Sequence, residues 1–223
     1  NDWADIPFDR KASKTNLVDS IAIIWRPFIL LGLLGVTLMP WLCYFKTDSW
    51  SIGLIITQFV LQIAYPIPPI RIKRFPIVAI ITDALYAFVI PSILAWHTFD
   101  ISSNFNYNQG QYSHYVFLFL WMFALGVRHI LSHHVVDRFN DEKTETPNLA
   151  NQIAPLSIKR FTERFLFPVE LLGSVAFFVS LLRFSEHLVL GIVLVILFFG
   201  FKHFRGILPF FEVPFSGTSL DKF

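Results

Sequence analysis

Six residues set four apart are the first feature of this chain with chemical content. Asn1, Asp5 and Asp9 recur at every fourth position, and Asp137, Asp141 and Glu145 repeat the spacing further on. On a helix such a trio forms a stripe that drifts by about 40° per step, so three oxygen donors share a face. Like charges at this spacing repel one another, and a bound cation relieves the repulsion. Hard oxygen donors of this kind suit magnesium, which is held by a few carboxylates together with the phosphates of a substrate. A single D-x-x-x-D is ordinarily a solvated helix face. Two ladders in one small protein make a shared divalent-metal site the stronger reading.

Between the ladders lies Tyr65-Pro66-Ile67-Pro68-Pro69-Ile70-Arg71-Ile72-Lys73-Arg74. The prolines stop a helix, and Arg71, Lys73 and Arg74 then set three cations near Tyr65. A basic loop at the end of a membrane span can serve only to anchor anionic headgroups; beside two metal ladders it reads as a clamp for a diphosphate. Asp83 stands in an otherwise apolar stretch. An acid at mid-membrane costs about 2.5–3.5 kcal/mol and usually faces a bundle interior or a cavity. Asp83 is therefore the catalytic candidate, polarising an acceptor or taking its proton; the plainer reading is a buried hydrogen bond to a neighbouring helix. Glu170 reads as structural. His129, His133 and His134 read as helix-end side chains facing solvent or headgroups, in preference to a transition-metal site. Gly32 and Gly35 suit close helix contact, and Trp41, Tyr44, Trp50, Trp96 and Trp121 suit the aromatic belts of a membrane protein.

The elements that must carry these groups follow from composition. Of 223 residues, 54% are hydrophobic and 15% charged, with 26 phenylalanines, and mean hydropathy is +0.56. Soluble domains carry about 25% charged residues, so an ordinary soluble domain is excluded. The single cysteine, Cys43, excludes a disulfide framework or a thiolate zinc cluster. A formal net charge of +2 gives no reason to expect nucleic acid. Charge-poor stretches at 27–45, 49–70, 77–99, 101–127, 165–182 and 188–201 predict about six membrane spans. The last needs flanking residues to reach across. In lipid only helices or closed barrels satisfy their backbones, and the period-2 alternation of a barrel is missing. The fold class is thus all-α, a polytopic transmembrane helical bundle. Six spans put 1–26, 71–76, 128–164 and 202–223 on one side, with all 18 lysines and arginines except Lys46 and Arg183. The positive-inside rule makes that side cytoplasmic, and both ladders and the basic loop share it.

Asn1-Asp2-x-x-Asp5-x-x-x-Asp9, the segment Tyr65…Pro69-x-Arg71-x-Lys73, and Asp137-x-x-x-Asp141 followed by Thr146 resemble, in order and spacing, the UbiA superfamily of intramembrane prenyltransferases. The resemblance covers nearly the whole chain. It departs from the family at Glu145, where many members carry Asp; a longer carboxylate still serves a metal. It implies magnesium-dependent transfer of a prenyl group from an isoprenyl diphosphate to an aromatic or other lipid-precursor acceptor within a bacterial-type inner membrane. Asn1, Asp5, Asp9, Asp137, Asp141 and Glu145 would hold the metal, and Tyr65, Arg71, Lys73 and Arg74 would bind the diphosphate donor. The match to helices three to eight of the family's nine predicts a single domain, 1–223, incomplete at both ends. The ladders alone say only metal plus polyanion. Two other readings therefore stand: a divalent-cation transporter with the ladders as cargo site, and a non-catalytic lipid-binding membrane protein. The opposite face offers a transporter little, with only Lys46, Asp48, Asp100, Arg183 and Glu186, and lipid binding alone leaves both ladders without a purpose.

Overall fold

The computed structural model describes residues 2–11, 13, 15–43, 45, 47–103, 113–143 and 149–182. Asn1, Tyr44, Glu145, Thr146 and the expected sixth span at 188–201 lie outside the described residues, as do the side chains of Asp137 and Asp141. Every regular element among the described residues is helical. The order is α1 (Asp2–Lys11), α2 (Arg26–Cys43), α3 (Ser49–Ala64), a 3-10 turn (Ile72–Arg74), α4 (Pro76–Ala84), α5 (Ile90–Ser103), α6 (Ser113–Lys143), α7 (Leu149–Gln152), α8 (Pro155–Phe161) and α9 (Phe167–Leu182).

Among the described residues, three helical stretches are long and apolar enough to cross a membrane: Arg26–Cys43, Pro76–Phe99 and Ser113–Val135. α3 is apolar but shorter, and α9 has 16 residues. These five segments correspond to the first five expected spans. Two expectations change. α6 runs without a break from Ser113 to Lys143, so Asp137 and Asp141 extend a spanning helix instead of standing on a separate loop. Arg128, counted above among the loop cations, lies inside the same span.

Among the described residues two π-turns interrupt the helices, Leu85–Val89 between α4 and α5 and Thr162–Leu166 between α8 and α9. Each is followed two residues later by a proline, Pro91 and Pro168. A proline inside an α-helix lacks the N–H for the residue four back and its ring crowds that carbonyl. Widening one turn absorbs the conflict: the Ile90 N–H bonds to the Leu85 carbonyl and the Phe167 N–H to the Thr162 carbonyl. In this register the Tyr86 carbonyl would look to Pro91, which has no N–H. Gln58 Nε2 of α3 donates to that carbonyl instead, at 2.5 Å, and so ties α3 to the wide turn.

α6 is the central helix. It packs most extensively against α9 and next against α4. Glycines allow both approaches. A Cβ on Gly173 would stand 2.9 Å from the Trp121 backbone nitrogen, and one on Gly126 would stand 2.9 Å from the Ala84 Cα. Gly32 and Gly35, expected at helix contacts, meet nothing within 4 Å, because α2 buries none of its residues among the described ones. Ile80, Ala84, Val127, Ile130, Leu131, Val135 and Ile158 form the buried cluster where α4, α6 and α8 meet.

Candidate functional site

The basic loop is a compact turn. After α3 the Arg71 N–H bonds to the Ile67 carbonyl at 2.9 Å, and the Lys73 N–H reaches back to the Tyr65 carbonyl at 3.3 Å. Between them Arg71 adopts φ 39°, ψ 65°, a left-handed conformation that costs a non-glycine residue roughly 1–2 kcal/mol. This bend returns Lys73 over the end of α3. Its ammonium forms an ion pair with the carboxylate of Asp5, 68 positions away in the chain. Both side chains are largely buried. A cation of the basic loop thereby meets a carboxylate of the first ladder.

One turn further along α1, Asp9 Oδ2 accepts a hydrogen bond from Asn16 Nδ2 at 2.7 Å. The Asn16 Oδ1 in turn accepts from the Val18 and Asp19 N–H groups, closing a local turn. Arg10 grips Asp19 with two hydrogen bonds of 2.7 Å, and Arg26 stands 3.7 Å from the same carboxylate. The hydrogen bonds from Arg10 hold the Asp19 carboxyl below its ordinary range, and Asp19 raises Arg10 in return. The connection between α1 and α2 is therefore folded back on the first ladder.

Behind the loop, Tyr65 is buried and meets Tyr86 edge to face, with ring centroids 5.4 Å apart. The Tyr86 hydroxyl donates to Asp83 Oδ1 at 2.6 Å. Asp83 is half-buried, and its hydrogen bond runs within its own helix, not to a neighbouring one. His129 and His133 on α6 lie near enough to act on it electrostatically. His129 rests against Phe88 of the π-turn, centroids 5.4 Å apart, so it takes part in this network as well as meeting the exterior.

The sequence model of the UbiA prenyltransferase family matches residues 1–208. The chain belongs to that family. No curated protein and no solved structure matched it. Membership implies prenyltransferase activity in the membrane, on isoprenyl diphosphates and lipid acceptors. The resemblance drawn from the motifs and the all-helical fold class both hold.

In this UbiA-family chain, Asp5, Lys73, Tyr65, Tyr86 and Asp83 form one connected region, and Arg71 leads into it. Arg74 is exposed at the end of the turn. Tyr86, Gln58 and Asn16 were not among the residues singled out from the sequence. Tyr86 had a signal, since it lies three residues after an intramembrane acid and so beside it on a helix. A second signal is in the numbering of α6. His129, His133, Asp137 and Asp141 stand four apart, so the spacing that leads into the second ladder starts inside the span, with two histidines that act on Asp83.

Two further polar groupings hold the UbiA-family bundle together. Arg128 Nε and a terminal guanidinium nitrogen donate to the two carboxylate oxygens of Glu170 at 2.6 and 2.9 Å, joining α6 to α9. At the other end, Asp48 caps α3 by accepting from the Ser51 N–H at 2.8 Å and pairs with His97 Nε2 at 3.1 Å. The other nitrogen of His97 lies 3.1 Å from the Tyr115 hydroxyl. Trp41 Nε1 donates to Thr98 at 3.0 Å nearby.

Proposed function

We propose that this protein transfers a prenyl group from an isoprenyl diphosphate to an aromatic or other lipid-precursor acceptor, with magnesium held by Asn1, Asp5, Asp9, Asp137, Asp141 and Glu145. The observation that carries this reading is the ion pair between Lys73 and Asp5, which joins a carboxylate ladder to the basic loop. The donor set fits the metal: hard oxygens one helical turn apart, with no thiolate and with cations at hand for phosphate. Bound magnesium would offset the negative charge that grows on the departing diphosphate.

The remaining roles follow from the chain's own groups. Lys73, Arg71 and Arg74 neutralise diphosphate oxygens, and Lys73 can exchange its bond to Asp5 for one to phosphate. Tyr65 and Tyr86 present aromatic rings where positive charge develops on the allylic carbon. The bond between that carbon and the diphosphate oxygen breaks, a bond to the acceptor forms, and the proton lost by the acceptor passes to Asp83. The ladders and the basic loop face the cytoplasm, on the bias of lysines and arginines, and the membrane is a bacterial-type inner membrane.

The test is release of labelled diphosphate by the full chain in nanodiscs of neutral lipid, with magnesium and with a chelator. Turnover should need the metal and should vanish in Asp137→Asn. Lys73→Ala should weaken donor binding even though no anionic headgroup is present. Magnesium-independent turnover, or full turnover in Asp137→Asn, would sink the metal assignment.

A further inference from the structure

α4 has a second face. Ile77, Ile80 and Ile81, turned from Asp83 by about 120°, 60° and 160° around the helix, wall a cavity of about 340 Å3 together with Val127 and Leu131 of α6. His129 and His133 follow Val127 and Leu131 by two positions and so occupy the opposite side of α6. Ala84, one turn beyond Ile80 on the same face, packs closely on Gly126. The cavity is apolar except for Ser157, and its volume lies within the ~300–1,000 Å3 usual for ligand sites.

Its outer wall is α8 and the turn beyond, through Ser157 and Phe161. Arg160 and Arg164 follow those two residues by three positions each, which sets them beside the lining on the helix surface. They are also four apart, and so can share one ligand. Both are exposed, and among the described residues neither forms an ion pair. Lys159 adds a third cation, and Glu163 is the one acid on the stretch 155–166.

We infer that this cavity binds one anionic glycerophospholipid from the leaflet on the ladder side, an acyl chain lying in the cavity and the headgroup phosphate on Arg160 and Arg164. An apolar hollow rimmed by paired arginines at the end of membrane helices matches an acyl chain joined to a phosphate. The prenyl donor is a poorer fit, because its diphosphate calls for Lys73 and the metal beside Asp5, and neither residue lines the cavity. A protein segment would have to bring acids to the rim as well as a chain thin enough for the hollow.

The experiment is native mass spectrometry of the full chain, released from detergent after equilibration with equal amounts of phosphatidylglycerol and phosphatidylcholine of identical acyl chains. Wild type should retain one phosphatidylglycerol in preference. The preference should fall about fivefold for each arginine removed, as Arg160→Gln and then the double change with Arg164→Gln. Ser157→Trp, which fills the mouth, should lower retention of either lipid while both arginines remain. Equal retention of the two lipids by wild type would overturn the site. So would unchanged retention in Ser157→Trp, the result expected if a segment of the chain fills the cavity. Displacement of the lipid by isoprenyl diphosphate would overturn it too, by giving the cavity to the donor. Each arm is read without turnover, so it stands apart from the catalytic reading.

Discussion

Glu170 and Asp83 both lie within apolar helices, and their surroundings differ. Glu170 has a side chain 2% exposed and both oxygens in a fork-to-fork bond with Arg128, which leaves its charge matched. Asp83 is half-buried and, among the described residues, receives a neutral phenol from Tyr86 on its own helix, with two histidines near enough to act on it electrostatically. A buried charge with a dedicated partner is a strut: its removal costs stability. An intramembrane acid without a dedicated cation can change its proton, and such acids mark relays and substrate sites. The same residue class therefore does mechanical work between α6 and α9 and is available for chemistry beside α4.

The largest effect expected from this contrast is on turnover. Asp83→Asn keeps the shape and removes the proton acceptor, and loss of a general base costs roughly 10²–10⁴ in rate. The apparent melting temperature in detergent should hardly move. Glu170→Gln should do the reverse, keeping most turnover per folded molecule while lowering the melting temperature. If both variants lose turnover equally, the distinction between strut and chemistry fails.

Next in size is the strut itself. Arg128→Ala strands the Glu170 charge among apolar side chains, and breaking one partner of a buried pair costs about 3–5 kcal/mol. Replacing both partners, Arg128→Met with Glu170→Met, removes the stranded charge and should recover much of that loss. Thermal unfolding of the purified variants reads both. A double variant as unstable as Arg128→Ala would mean that the pair does more than compensate itself.

A smaller effect sharpens the other half. Tyr86→Phe deletes one hydrogen bond to Asp83, worth about 1 kcal/mol, and should slow turnover about five- to tenfold without changing the donor KM. A shift in donor KM instead would mean that Tyr86 handles the prenyl diphosphate and not the orientation of Asp83.

Much of this was legible in the sequence, for physical reasons. Long charge-free stretches and the bias of lysines and arginines mark spans, because lipid penalises charge, and the spacing of four shows which carboxylates share a helix face. What failed to show depends on other helices. Gly32 and Gly35 looked like contact points, but only packing distinguishes them from Gly126 and Gly173. Arg128 counted as a loop cation because its partner lies 42 positions away. Pro91 and Pro168 each sit inside an apolar helical run, where a proline removes a helix hydrogen bond, but so does Pro40 in α2, which keeps its α-helical register, so packing decides which proline is met by a wide turn. Which residue gains from it, Gln58 taking the freed Tyr86 carbonyl, is a tertiary fact.

The smallest expected effect concerns a third acid, Asp48, at the far end of the bundle. Burial works against its ionisation, but the Ser51 N–H and hydroxyl, together with His97, outweigh that and hold it at about 2. An unfolded aspartate titrates near 3.9, so the native state binds fewer protons between these values. Asp48 therefore adds stability above about pH 4, and that stability drains away as pH falls toward 2. Asp48→Ala removes the cap of α3, a change that typically costs about 0.5–2 kcal/mol. Melting curves should show wild type ahead of Asp48→Ala at pH 5, with the gap closing by pH 2. If the gap for Asp48→Ala stays constant from pH 5 to pH 2, the contribution of Asp48 lies in packing and not in its charge, and it belongs with the struts.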